Sequence, residues 1–148
     1  MDLETLIAER EIAAQLVRFA RAMDARDWPV CLAILTPDAT AEFGTGVLED
    51  ADAIVGQIRG YLDACGPTQH LLGSILVDID PAGDRATSRA YVSDTHLGRG
   101  ARSDLTFSTL GDYHDDWKRI DGVWRLTHRH KHSHAVLGTF DVFAPDDA

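Results

Sequence analysis

Apolar residues recur at steps of three and four through the first 25 positions and at steps of two through most of the second half. Leu6, Ala13, Leu16, Val17, Ala20 and Met23 make one stripe, with Glu9, Arg10, Arg18 and Arg21 mainly off it. Residues 3–25 therefore predict an amphipathic helix. Asp27-Trp28-Pro29 reads as a cap and restart, with Asp27 as N-cap and Pro29 in the first turn of a short helix. That helix runs to about Leu35 and stops before Pro37. Residues Ala39–Phe43 alternate like a strand, turned by Gly44-Thr45-Gly46. A third helix, from about Ala51 to Ala64, places Ile54, Ile58, Tyr61 and Leu62 on one face and ends at Gly66-Pro67. From Thr68 onward the pattern predicts strands over about Gln69–Ile79, Arg85–His96, Leu105–Ile120 and Val123–His134. Asp80–Asp84 and Gly98-Arg99-Gly100 are their loops, and Asp121-Gly122 is a two-residue hairpin turn. Helices first and a strand meander after give an α+β class, with helices against one face of an antiparallel sheet.

The chain has 148 residues, the size of one domain, with no repeat or linker. Its 24 acids outnumber 14 Lys and Arg, a net charge of −10, which disfavours nucleic acid and anionic membrane surfaces as partners. No apolar run approaches the roughly 20 residues that span a bilayer. The acidic start, Met1-Asp2-Leu3-Glu4, is unlike a basic leader, and Cys31 and Cys65 lack CxxC spacing. These features predict a cytoplasmic protein with both thiols reduced and buried. The charge is uneven: residues 122–140 contain no acid, but hold Arg125, Arg129, Lys131 and four of the seven histidines. The tail, 141–148, restores three acids. A locally positive wall leaves room for an anionic small molecule.

Asp24 lies four residues after Ala20 and eight after Leu16, in the row that faces the core. It either meets a pocket or is solvated at the helix end. His70 opens a strand, with Leu72 and Ser74 on its own parity, and is either a satisfied core group or a general base. No serine or cysteine sits in a nucleophile elbow. Asp94 and His96 share one strand face. On the last strand, if Arg129 points inward, Thr127 and Lys131 follow it and His128, His130, His132 and His134 point away, unless a bulge intervenes. Four histidines at spacing two suggest a chelating ladder. Consecutive same-face residues are about 7 Å apart, however, so one ion reaches two at best. With Arg and Lys interleaved and no acid nearby in sequence, we read the tract as a solvent or subunit-contact face and assign no metal. No nucleotide-binding glycine motif occurs, and no cofactor is assigned.

Asp-Ala-Arg-Asp-Trp at 24–28, Thr-Pro-Asp-Ala at 36–39, Thr-Gln-His at 68–70 and Asp-Gly-Val-Trp-Arg-Leu at 121–126 come in a characteristic order. In that order the chain resembles the SnoaL-like branch of the nuclear-transport-factor-2-like superfamily over nearly its whole length. The resemblance implies helices on a curved sheet enclosing one pocket. It also implies a cofactor-independent lyase or isomerase with a His–Asp dyad, acting on a small, apolar molecule, cyclic ones included. Asp24 and His70 match the dyad, and Arg129 matches an arginine that stabilises developing negative charge or a leaving group. Asp94 and His96 match acid and histidine positions of dehydratase relatives. Phe19, Trp28, Phe43 and Tyr61 fall on elements that wall the pocket, and relatives often form homodimers through the sheet.

One departure matters. Dehydratases of this fold use a first-helix tyrosine to polarise a carbonyl, where this chain offers Phe19 and Met23. Tyr61, Tyr91 or Tyr113 substitutes only if the fold brings it into the pocket. The competing reading is a binding or accessory protein of the same fold that performs no chemistry, including a dioxygenase β-subunit.

Overall fold

The computed structural model describes residues 1–145; of the acidic tail, residues 146–148 lie outside the described residues. Helix α1 (Leu3–Ala25) starts at Asp2, whose side chain accepts from the Thr5 N–H at 2.8 Å. It ends at Arg26, which adopts the left-handed conformation (φ 58°). The buried stripe is Ala8, Ile12, Gln15, Leu16, Phe19, Ala20, Ala22 and Met23. Leu6 and Val17 face outward, because the stripe follows the crossing of α1 over the sheet rather than every apolar step. Helix α2 (Trp28–Ile34) is capped by Asp27, and α3 (Ala51–Leu62) by Asp50, stopping two residues before the expected end.

The strands are β1 (Leu35–Glu42), β2 (Val47–Leu48), β3 (Thr68–Ile79), β4 (Arg85–Leu97), β5 (Thr106–Ile120) and β6 (Val123–Gly138). They form one open sheet in the order β2-β1-β6-β5-β4-β3. The sheet is mixed rather than wholly antiparallel, since β1 runs parallel to β6. β1 begins four residues earlier than its alternation predicts. Pro37 is tolerated because it lies at an irregularity between Leu35 and Thr40 in the β1–β6 register. β6 continues to Gly138, past the expected end at His134, and a 3₁₀ turn over Phe140–Phe143 follows.

Burial along β4 alternates without interruption, and its inner row is Ala86, Ser88, Ala90, Val92, Asp94 and His96. The first four belong to the core end of the sheet. The small side chains of Ala86, Ser88 and Ala90 make room for Trp117 and Trp124, among the largest fully buried groups. Both tryptophans are core residues, and the Trp117 indole N–H donates to Ser88 Oγ at 2.8 Å. Gln15 in α1 donates to the Trp124 carbonyl at 2.8 Å, which fixes α1 against β6. The polar end of the β4 row, Asp94 and His96, lies beyond this core.

Two bulges shape β6. From the Asp121-Gly122 turn, pairing is regular up to Trp117 opposite Leu126. Asp116 then pairs with His128, leaving Thr127 as an extra residue, and Ser133 and Ala135 bracket a second extra residue, His134. A third irregularity, between Gly73 and Leu76 of β3, carries Ser74 at φ 49°.

The register of α1 is testable. Leu16 is 1% exposed and Val17 is 42% exposed. Leu16→Ala should cost about 2–5 kcal/mol in urea unfolding, and Val17→Ala should stay within about 0.5 kcal/mol of the parent. Equal losses would mean a different helix face is buried.

Candidate active site

A cavity of about 190 Å³ opens where the C-terminal end of α1, helix α3 and the inner faces of β3–β6 meet the Phe140–Phe143 turn. One wall is apolar, with Met23, Phe43, Ile58, Tyr61, Phe107, Phe140 and Phe143. The opposite wall is polar, with His70, Asp94, His96, Tyr113, Arg129 and Lys131. An apolar chamber with a few convergent polar groups is the usual anatomy of a small-molecule site.

Asp24 and His70 are in contact. Asp24 Oδ1 lies 2.7 Å from His70 Nδ1, and Asp24 Oδ2 accepts the His70 backbone N–H at 3.0 Å. Because a carboxylate only accepts, Nδ1 carries the proton in the neutral ring, leaving Nε2 with its lone pair. Thr68 donates its hydroxyl to Asp24 at 2.9 Å while accepting from Arg26 at 2.7 Å. Arg26 also donates to the Met23 and Gly66 carbonyls, so its left-handed turn ties the end of α1 to the start of β3. Burial pushes the Asp24 carboxyl up, but the His70 hydrogen bonds and charge, with Thr68, outweigh it and hold the group below its ordinary value.

His96 faces His70 edge-on, with ring centroids 5.5 Å apart. Its Nδ1 donates to the Phe107 carbonyl at 3.0 Å, which leaves its Nε2 as an acceptor. Burial depresses the His96 pKa despite that bond and the nearby Asp94 charge, so the ring is held neutral. Asp94, 1% exposed, accepts from the Thr109 N–H and hydroxyl on one oxygen and from the Lys131 ammonium on the other. Burial raises the Asp94 carboxyl, but Lys131 and Thr109 hold it low and ionised. Lys131 reaches Asp94 across Gly111, where a Cβ would lie 2.9 Å from Lys131 Cε and 2.6 Å from Val92. One ligand atom each from His70, Asp94 and His96 lies within 4.8 Å of the others. A divalent ion there would have to displace the Lys131 ammonium from Asp94.

Arg129 is buried and forms a two-point pair with Asp115 at 2.9 Å through both Nε and Nη2. Its guanidinium lies 3.7 Å from the Tyr113 ring centroid and 5.0 Å from that of Phe19. Burial works against the charge, but Asp115 holds the Arg129 pKa above its ordinary value. Burial likewise raises the Tyr113 hydroxyl, keeping it protonated as a donor.

The structure thus places Asp24 against His70, and His70, Asp94, His96, Arg129, Phe43 and Tyr61 on the cavity wall. Phe19 and Trp28 are a correction: neither lines the cavity. Phe19 lies behind Arg129 as its platform, and Trp28 is packed in the core at the foot of α2. Thr127 is a second correction, because the bulge at that residue takes it out of the inner row that holds Leu126, Arg129 and Lys131. The four tract histidines lie on the other face. Tyr91 is exposed, whereas Tyr113 and Tyr61 reach the cavity.

Sequence reasoning missed Asp115, Thr109, Phe107 and the Phe140–Phe143 turn. Counting back from the Asp121-Gly122 turn without a bulge sets Asp115 opposite His128, one residue away from its actual partner Arg129. The i, i+3 pair Phe140 and Phe143 was a usable signal beyond the expected end of the last strand.

Comparison with known proteins agrees with this architecture. Solved structures that superpose on the chain include a Novosphingobium aromaticivorans protein provisionally assigned as a scytalone dehydratase (TM-score 0.84, 18% identity, 94% of this chain and 92% of that one). Another is the type 3 hexachlorocyclohexane dehydrochlorinase LinA of Novosphingobium barchaimii (TM-score 0.80, 14% identity, 94% of each chain). A third is a Streptomyces avermitilis protein of the NTF2-like family provisionally assigned as a dehydratase (TM-score 0.75, 15% identity, 85% of this chain and 96% of that one). At such identities the likeness is one of fold. No curated protein matches the chain. The SnoaL-like domain model matches residues 4–130, most of the helices and sheet described above, and the chain belongs to that family.

Proposed function

We propose that the protein is a cofactor-independent lyase or isomerase in which His70 removes a carbon-bound proton from a small, largely apolar substrate. The observation that carries this reading is the Asp24–His70 contact at 2.7 Å, with His70 on the wall of a chamber that is apolar on its other side. Asp24 fixes the tautomer, so that Nε2 takes the proton, and it stabilises the imidazolium that results. The electron pair left on carbon moves toward an adjacent electron-withdrawing group. It then expels a leaving group in elimination, or is reprotonated elsewhere in isomerisation. The Lys131 ammonium, the free edge of the Arg129 guanidinium and the Tyr113 hydroxyl line the same cavity and would receive the developing negative charge. Tyr113, stacked under Arg129, supplies a phenolic donor that α1 lacks. The dehydratase and dehydrochlorinase designations of the fold neighbours support proton abstraction as the shared step. Neither thiol is an activated nucleophile: burial raises both, Cys31 to about 12.

Two predictions follow from the dyad and its neutral neighbour. In deuterated buffer, the protein should exchange the α-protons of a cyclic ketone bound in the cavity. His70→Ala should lower that rate by about 10²–10⁴-fold, and Asp24→Asn should lower it while leaving ketone binding intact. Binding without exchange across a ketone panel, or equal rates in His70→Ala and the parent, would instead identify a ligand-binding protein.

His96 gives the pH dependence. Its folded pKa lies below the ordinary 6.5, so below that value the unfolded chain binds the proton first. Its contribution to stability is complete above about pH 6.5 and is lost as the pH falls toward the folded value. Denaturant midpoints measured across that window should decline in the parent and decline less in His96→Phe. Parallel curves would show that His96 is not held neutral by the fold.

A further inference from the structure

We propose that His114, His130 and His132, on the outer face of the sheet, form a binding site for a divalent transition-metal ion of the Zn²⁺ class, oriented by the buried carboxylate of Asp112. A single strand cannot build such a site from alternate histidines, because neighbours on one face are about 7 Å apart. The third donor comes from the adjacent strand. His114 of β5 stands directly opposite His130 of β6, and Asp112 stands opposite His132. The ring of His132 lies 3.9 Å from that of His130 and 4.3 Å from that of His114, centroid to centroid. The interleaved cations do not oppose an ion here. Arg129 and Lys131 project through the inner face, where Asp115 and Asp94 hold them.

Asp112 supplies the orienting contact. Its side chain is 4% exposed, and it accepts from His114 Nε2 at 3.1 Å, which leaves His114 Nδ1 as the donor atom. A carboxylate behind a ligating imidazole fixes its tautomer and raises its basicity. The second bulge of β6 brings His134 Nε2 to 3.8 Å from the same carboxylate. From β4, Arg89 pairs with Asp112 at 2.7 Å, which favours Asp112 as the positioning group behind His114 rather than as a ligand. From β1, Glu42 lies 3.6 Å from both His128 and His130 and adds negative charge at the edge.

Imidazole binds a metal ion only in its neutral form, so the ion competes with protons for these rings. The rings are stacked rather than converged, and binding requires them to turn about their side-chain torsions. His130, with its side chain 40% exposed, has room to do so, while His114 stays on Asp112. Imidazole donors suit zinc, nickel and copper over magnesium or calcium.

The test is calorimetric titration of the metal-stripped full chain with ZnCl₂ at about pH 7.5, repeated at about pH 5.5, where histidines are protonated. We expect one Zn²⁺ per chain at the higher pH and none at the lower. Binding should be lost in His132→Ala, weakened about 10–100-fold in Asp112→Asn, and unchanged in His70→Ala. The far-UV spectrum of His132→Ala should match the parent, since the side chain lies at the surface. The proposal is overturned by the absence of saturable binding. It is equally overturned by binding that survives His132→Ala but is lost in His70→Ala, which would place the ion on His70, Asp94 and His96. One ion per two chains would overturn the single-chain site in favour of an ion bridging two copies.

Discussion

The extra residue at Thr127 decides which side chains the cavity contains. Up to Leu126, β6 turns its even-numbered residues inward, and Trp124 and Leu126 fill the core. Carried on unbroken, that alternation would send His128, His130 and His132 into the chamber and turn Arg129 and Lys131 out to solvent. The bulge inverts the parity at the boundary between core and cavity. The same strand therefore contributes tryptophan and leucine to the core and two cations to the site. It also sets Arg129 directly opposite Asp115, which allows the two-point pair. A buried guanidinium without that partner would carry a desolvation cost of several kcal/mol. The bulge and the Asp115–Arg129 pair are therefore one device.

Each cation of the cavity wall is matched to an acid. Arg129 is held by Asp115, and Lys131 by Asp94. The dyad carboxylate is committed to His70 and Thr68. Paired in this way, the charged groups are fixed in place before any ligand arrives, and the chamber can exclude water without leaving an unpaired ion. Lys131 differs from Arg129 in one respect: its ammonium sits at the end of a flexible stem that passes over Gly111, in the room a Cβ would take. It can trade part of its contact with Asp94 for a developing oxyanion, whereas Arg129, wedged between Tyr113 and Phe19, supplies a fixed field.

The sequence revealed most of the frame and the half of the site that lies on regular structure. Asp24 was legible because helical spacing alone puts it on the row of Leu16 and Ala20. Asp94 and His96 were legible because β4 keeps a strict alternation over its whole length. What was hidden depends on departures from regularity. Thr127 and His134 carry no glycine, proline or other mark of a bulge, and Ser74 takes a left-handed conformation that its residue type does not announce. The parallel β1–β6 pairing is a long-range choice, set by which edge of β6 remains free once β5 has paired with the other. The elements that carry Phe19 and Trp28 point to the pocket, but packing depth, which one sequence does not show, sets both side chains behind it.

The two faces of the sheet put histidine to different uses, and the difference follows from burial. On the inner face, His70 and His96 each donate Nδ1–H to a fixed acceptor, Asp24 or a main-chain carbonyl, so each ring is locked in one tautomer with Nε2 turned toward a chamber that disfavours charge. On the outer face only His114 has a firm carboxylate partner, and its neighbours are stacked on one another in reach of water. An imidazole locked in one tautomer suits a proton transfer that must occur at one atom. A loose cluster of imidazoles suits a ligand that can pull the rings together, which a proton does not do. The alternation of β6 connects these roles, since every residue that sends a cation inward sets its neighbouring histidine outward. A change in the bulge at Thr127 would therefore exchange the contents of both faces at once.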